Sequence, residues 1–198
     1  MLDNDSSILS LPELVLASGS PRRSEILASV GWSFVKDVAD VDESERAGES
    51  PEDYVKRLSL EKASAVAIRN ENRITLGADT TVVIDGRIIG KPVDLDDAAR
   101  MLRLLSGNWH EVLTGVSLVR FSGGEAFAVT DMQRTRVKFA ELSDGEIEFL
   151  VRFGEPLDKA GAYAVQAQAA LFIQGIEGDY WNVVGLPISM VYEMLRRF

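Results

Sequence analysis

Ser18-Gly19-Ser20-Pro21-Arg22-Arg23 brings two hydroxyls and two guanidinium groups together, directly after the apolar run Leu14 to Ala17 and at the opening of a helical stretch. Free backbone N–H groups at a helix N-terminus, hydroxyls and guanidinium forks are the components of a phosphate site. A cation pair in the first helical turn opposes the helix dipole, so an anionic ligand is the expected compensation. A capped helix with two solvated arginines is the simpler alternative. Lys62 interrupts an inward stripe formed by Val55, Leu58 and Val66. A lysine at the stripe edge, with a buried stem and an ammonium in water, fits that position as well. Asp79 enters the apolar, β-branched run Gly77-Ala78-Asp79-Thr80-Thr81-Val82-Val83, where a carboxylate is disfavoured and expensive to bury. Held at a strand end by a rigid sheet, such an acid can ligate a metal or orient and deprotonate water. An edge-strand aspartate facing water is the alternative.

Three further segments bear on the same chemistry. Gly90-Lys91-Pro92 returns a lysine beside Asp79 if the preceding hairpin pairs tightly, though an ordinary turn lysine is equally consistent. Asp158-Lys159-Ala160-Gly161-Ala162-Tyr163 is too polar and glycine-dependent for core, and irregular stretches of this kind carry function or are disordered, function being the reading favoured here. Asp42 and Glu43 are candidate extra ligands or simply a solvated acidic cluster. His110 follows Trp109 near a strand start, with no local Ser/Asp arrangement that suggests a triad, so it reads as structural.

Arg22, Arg23, Lys62, Lys91 and Lys159 thus stand beside turns or on an inward stripe of a chain with 31 acidic against 21 basic residues and a net charge of −10. That placement suits a polyanion, and a triphosphate with its metal needs cations on the phosphates and carboxylates on the metal. The absence of a G-x-x-x-x-G-K-S/T loop disfavours a P-loop NTPase. The overall acidity argues against nucleic-acid or anionic-membrane partners, which require a basic stripe. With no cysteine, disulfides, thiolate zinc sites and cysteine nucleophiles are excluded, and a single histidine excludes a multi-histidine metal site. The N-terminal MLDNDSSILSLPELVLAS is acidic, with interrupted apolar residues, unlike a signal peptide. No apolar run approaches the ~20 residues of a membrane span, so the expected location is cytoplasmic.

The elements that must position these residues follow from caps and periodicity. At 198 residues with 46% hydrophobic content, the expectation is one mixed α/β domain over the whole chain, residues 1–198. Ser20 and Pro21 open a helix stopped by Gly31, Trp32 to Val38 reads as a strand, and Ser50-Pro51 opens a long helix to about Arg69. Ile74 to Ile84 and Ile88-Ile89 form a hairpin about Asp85-Gly86, and Asp94 caps a helix through Leu105. His110 to Phe121 and Ala126 to Phe139 are expected as an antiparallel pair, and Ser143 to Phe153 as a capped helix. Leu171 to Val184 is expected as a hairpin about Glu177-Gly178-Asp179, before a last helix from Pro187.

At these residues the chain resembles the Maf family of nucleoside triphosphate pyrophosphatases, also described as septum-formation inhibitor-like proteins. LASGSPRRSEIL, YVKRLSLEKA, LGADTTVVIDGRIIGKP, ARMLRLLSG, EPLDKAGAYAVQ and VVGLP occur in family order and spacing, from Leu14 to about Leu195. The resemblance implies the mixed α/β architecture of inosine triphosphate pyrophosphatases, two lobes about a central cleft, often dimeric, so a homodimer is an expectation. It implies hydrolysis of dTTP and UTP to monophosphate and pyrophosphate with a divalent metal, Mg2+ or Mn2+. House-cleaning of modified nucleotides and nucleotide-dependent regulation of cell division are the alternatives. By the resemblance, Asp79 matches the proton acceptor, and Ser18, Arg23, Glu43, Lys62, Lys91 and Lys159 match the phosphate and metal cleft, with Asp79 and Glu43 as metal ligands; catalysis is expected from Asp79 together with Glu43, which orient or deprotonate the attacking water. Arg22, Thr80 and Gln166 match the positions that set base preference. After Tyr163 the family usually has Gly-Ile-Gln-Gly, whereas this chain has Ala164-Val165-Gln166-Ala167, whose methyl groups restrict the backbone. Strand alternation sends Thr80 to the face opposite Asp79 unless a bulge or twist at Gly77 re-aims it.

Overall fold

The computed structural model describes residues 11–198; the stretch 1–10, on which part of the argument against a signal peptide rests, lies outside the described residues. The order of elements is β1 (Leu14–Leu16), α1 (Pro21–Ser29), β2 (Phe34–Lys36), α2 (Pro51–Ala67), β3 (Ile74–Ile84), β4 (Arg87–Ile89), α3 (Leu95–Leu105), β5 (Trp109–Ser122), β6 (Glu125–Phe139), α4 (Asp144–Phe153), β7 (Ile173–Glu177), α5 (Tyr180–Val184) and α6 (Ile188–Leu195). Seven strands make one mixed sheet in the order β2-β1-β3-β5-β6-β7, with β4 paired to β3. β1 runs parallel to β2 and β3, and the remaining pairings are antiparallel. No helix among the described residues is long and apolar enough to cross a membrane.

The caps foreseen from polar residues are in place. Ser50 accepts from the Asp53 N–H at 3.1 Å, Asp94 accepts from the Asp97 N–H at 2.7 Å, and Ser143 with Glu146 forms a reciprocal capping box. Ser20 occupies the N-cap of α1 without a side-chain cap bond; Ser18 instead accepts from the Ser20 N–H at 3.3 Å.

Alternation along β3 separates two cores. Leu76, Ala78 and Val82 face the main cluster, with Ile26 and Leu27 of α1, Leu102 and Leu105 of α3 and Val191 of α6. On the other face, Val55 of α2 packs on Val83 and Leu113, and Ala63 and Ala67 pack on Val119. α2 comes unusually near the sheet because two strand residues are glycine. A Cβ at Gly77 would lie 2.2 Å from the Ser59 carbonyl oxygen, and one at Gly115 would lie 2.1 Å from that of Val55. Gly77→Ala is therefore expected to cost about 2 to 3 kcal/mol in urea unfolding, as overpacking against backbone does, and to lower activity by moving α2. An unchanged unfolding midpoint would contradict this close packing.

The edge of β3 that faces β1 and β4 is interrupted. β1 pairs with Ile74, Thr75 and Leu76, and β4 pairs with Val82, Val83 and Ile84, leaving residues 77–81 without a strand on that side. Asp79 stands at the middle of this gap. It is not at a strand end, as the sequence suggests, but at the middle of an eleven-residue strand whose neighbour departs.

The expected hairpin over Leu171 to Val184 is only half present. Its first arm is β7, but after Gly178 the chain turns into α5. Asp179 caps that helix by accepting from the Trp181 N–H at 2.7 Å, and the fully buried Asn182 donates to the Val112 carbonyl at 2.9 Å. These long-range bonds hold the second arm as a helix despite its β-branched residues.

Candidate active site

A cleft of about 560 Å3 lies at this gap, and Ser18, Arg22, Arg23, Glu43, Lys62, Asp79, Thr80, Lys91, Lys159 and Gln166 all line it. At its centre, Lys62 reaches across from α2. Its Nζ donates to Asp79 Oδ1 at 2.7 Å and stands 2.6 Å from Glu43 Oε1. Lys62 and Asp79 are 9% and 8% exposed, so the lysine does not carry its ammonium out to water and the aspartate does not face solvent. Asp79 Oδ2 accepts no hydrogen bond among the described residues. Burial pushes the Asp79 carboxyl above the usual carboxylate range, opposed by the charges of Lys62 and Arg23. Glu43 is exposed, and although partial burial acts to raise its pKa, the bond and charge of Lys62 bring it below its ordinary value.

Two side chains of α2 hold the loop that carries Glu43. Tyr54 donates to the Glu43 carbonyl at 3.0 Å, and Arg57 donates to the Ser44 carbonyl at 3.1 Å while pairing with Glu49. Burial and the carboxylates of Asp79 and Glu43 push Tyr54 up to about 12, so it stays a donor. Asp42, the other acid weighed with Glu43, accepts from the Ser44 N–H at 2.9 Å and lies outside the cleft lining.

The other side of the cleft is built around Arg23. Its Nε donates to the Gly185 carbonyl at 2.9 Å, Nη1 to Ser18 Oγ at 2.8 Å and Nη2 to Thr80 Oγ1 at 3.1 Å. These bonds use three of the five N–H groups of a guanidinium and leave two. Among the described residues no carboxylate pairs with Arg23, which is 8% exposed, and burial is the chief influence lowering its pKa. A buried cation with only neutral partners calls for an anion. Lys159 is buried and donates to Asp158 Oδ1 at 2.6 Å and to the Glu155 carbonyl; Arg22 stands 3.5 Å from the same aspartate. Lys91 is exposed at the rim without an ion pair among the described residues, and Gln166 is likewise exposed at the rim. Five cations and three carboxylates, Glu43, Asp79 and Asp158, give the cleft lining a net charge of +2 within a chain of −10.

The family model for Maf-like proteins matches residues 13–198. The chain belongs to the Maf family. It is 50% identical over 184 residues to the dTTP/UTP pyrophosphatase of Koribacter versatilis, covering 93% of each chain. It is also 50% identical over 188 residues to that of Symbiobacterium thermophilum, covering 95% of each. Among solved structures, a HAM1 protein from Coxiella burnetii overlaps 67% of this chain and 75% of its own at a TM-score of 0.45 and 17% identity.

Within this Maf protein the departures from family pattern at Ala164 and Ala167 leave the backbone unstrained, since neither residue has a positive φ. The left-handed alanine is Ala162, at φ 64°, just after Gly161. The one sequence signal for Tyr54 is its spacing: it stands four and eight residues before Leu58 and Lys62, which puts the three side chains on one helical face. Nothing local marks Gly185, which joins the site only through its carbonyl.

His110 lies outside the cleft lining, as a structural role requires. It is buried between Phe139 and Tyr163, with Nε2 2.7 Å from the Tyr163 hydroxyl. Burial lowers its pKa from 6.5 to about 4. Because the unfolded chain binds the extra proton between those values, the stability contribution is complete above pH 6.5 and is lost as pH falls toward 4. The loss is about 3 kcal/mol, and His110→Gln should flatten that part of the stability profile. A variant whose unfolding free energy falls as steeply as wild type over this window would show that His110 is not the group titrating.

Proposed function

We propose that this Maf protein hydrolyses dTTP and UTP to the nucleoside monophosphate and pyrophosphate. The observation that carries this reading is the buried Asp79, set in the gap of the sheet, gripped by Lys62 and facing a cation-lined cleft. Support from outside the geometry comes from the near full-length relatives named dTTP/UTP pyrophosphatase. The charge also fits: a triphosphate with one divalent cation carries about −2, against +2 on the cleft lining.

Asp79 and Glu43 bring two hard carboxylates side by side, each held through one oxygen by Lys62 Nζ, at 2.7 and 2.6 Å, with the second oxygen of each left without a hydrogen bond among the described residues. Mg2+ or Mn2+ commonly takes one or two protein carboxylates and completes its shell with phosphate oxygens and water, so these residues fit such an ion. No cluster of three acidic or histidine ligands exists among the described residues, consistent with a metal that arrives with the nucleotide. When bound, the ion would supply charge neutralisation on the phosphate oxygens.

The chain's own residues account for the rest. The two remaining N–H groups of Arg23, Lys91, Lys159 and the N-terminus of α1 hold the phosphates. Lys62 fixes the Asp79 carboxylate through Oδ1, leaving Oδ2 to take a proton from water. Burial raises the basicity that this transfer needs. The water oxygen bonds to the α-phosphorus as the bond from that phosphorus to the α,β-bridging oxygen breaks, and pyrophosphate leaves among the cations.

A nucleotide panel with Mg2+ or Mn2+ tests this. Pyrophosphate from dTTP and UTP in excess over purine triphosphates is expected; orthophosphate would make the protein a terminal phosphatase, and binding without turnover would favour a regulatory protein. Gln166 carries a donor and an acceptor that match O4 and N3–H of a pyrimidine. Gln166→Ala should therefore reduce dTTP and UTP hydrolysis by about ten-fold or more, with a smaller effect on purine triphosphates. A uniform fall across the panel would place base selection elsewhere.

A further inference from the structure

Thr114 stands directly across from Thr80 in the pairing of β5 with β3, fully buried and outside the cleft lining. Its hydroxyl is 2.9 Å from that of Thr80 and donates to the Asn182 carbonyl at 3.2 Å. Each hydroxyl has one proton to give, and a carbonyl only accepts. Thr114 therefore donates to Asn182, Thr80 donates to Thr114, and Thr80 meets the Nη2 of Arg23 as an acceptor at 3.1 Å. The donors run one way, from the guanidinium through two threonines to the main chain of α5.

Removing the Thr114 hydroxyl leaves the Thr80 proton one alternative among the described residues, the Gly185 carbonyl at 3.4 Å. That carbonyl already receives the Arg23 Nε–H. Thr80, half-buried and lining the cleft, must then turn its proton toward Gly185 or toward the cleft, and either change alters the oxygen presented to Arg23.

We propose that Thr114 is a positioning residue, which holds the Arg23 guanidinium in a single orientation through Thr80 so that its two remaining N–H groups meet the phosphates of a triphosphate. The proposal rests on the reading of Arg23 as a phosphate-binding residue. It also gives Thr80 an indirect role: with its proton committed to Thr114, it acts on the nucleotide through Arg23.

The test is calorimetric titration of the full chain with inorganic tripolyphosphate, for wild type, Thr114→Val, Thr114→Ser, Arg23→Met and the double variant Arg23→Met/Thr114→Val. Thr114→Val, which keeps the buried shape, should weaken binding about ten-fold, and Thr114→Ser should stay within about two-fold of wild type. In the Arg23→Met background, Thr114→Val should have no further effect. Unchanged affinity in Thr114→Val, an equal loss without Arg23, or no tripolyphosphate binding by wild type overturns the proposal. If Thr114→Val does not fold, Thr80→Val cuts the same chain one link nearer and must show the same dependence on Arg23. Wild type that binds tripolyphosphate but hydrolyses no nucleotide would sink the enzymatic reading while leaving this one standing.

Discussion

Asp79→Asn is expected to lower kcat on dTTP by about three powers of ten, the middle of the range for loss of a general base, in a protein that remains folded and still binds nucleotide. The substitution keeps the size of the side chain and removes its charge. Lys62 is not orphaned by it, because Glu43 stands 2.6 Å from the same ammonium. Burial already penalises the Asp79 charge, so the neutral amide should leave the thermal midpoint close to wild type. Kinetics and thermal unfolding on the same preparation check this directly. Near-normal turnover would remove Asp79 from the chemistry, and a collapsed midpoint would make it a structural residue.

Lys62→Met is the second large effect. Methionine fills the path of the lysine stem along α2, but it takes the cation from between two carboxylates. We expect kcat/KM on dTTP to fall by about two powers of ten, through loss of the charge-assisted contact and of carboxylate orientation. The pH profile carries the more specific signature. An adjacent cation favours the ionised form of Asp79, so removing Lys62 raises the pKa further and shifts the acid limb of kcat/KM to higher pH. An acid limb that stays in place, with activity falling only in step with thermal stability, would return Lys62 to a packing role.

Both side chains were legible in the sequence because each breaks a local pattern, a lysine in an apolar helical stripe and an acid in a β-branched run. Their meeting was not legible. It depends on Gly77 and Gly115, 38 residues apart in sequence, which together let α2 settle close to the sheet. The position of Asp79 opposite a break in the sheet follows from where β1 ends and β4 begins, a matter of register between separate strands. Alternation alone placed Thr80 on the face opposite Asp79, and there it meets Arg23 and Thr114; the cross-strand partner itself required the register of β3 with β5. The second arm of the expected hairpin failed for a related reason. Its β-branched residues favour a strand locally, whereas the Asp179 cap and the tertiary bonds of Asn182 favour a helix. His110 was readable by elimination, and its place between Phe139 and Tyr163 supplies the physical ground.

The central claim, that the cleft directs water to the α-phosphorus of a nucleoside triphosphate, is tested most directly by hydrolysing dTTP in heavy-oxygen water and locating the label by mass spectrometry. The predicted result is one labelled oxygen in the thymidine monophosphate and none in the pyrophosphate; label in the pyrophosphate, or release of labelled orthophosphate, would contradict it.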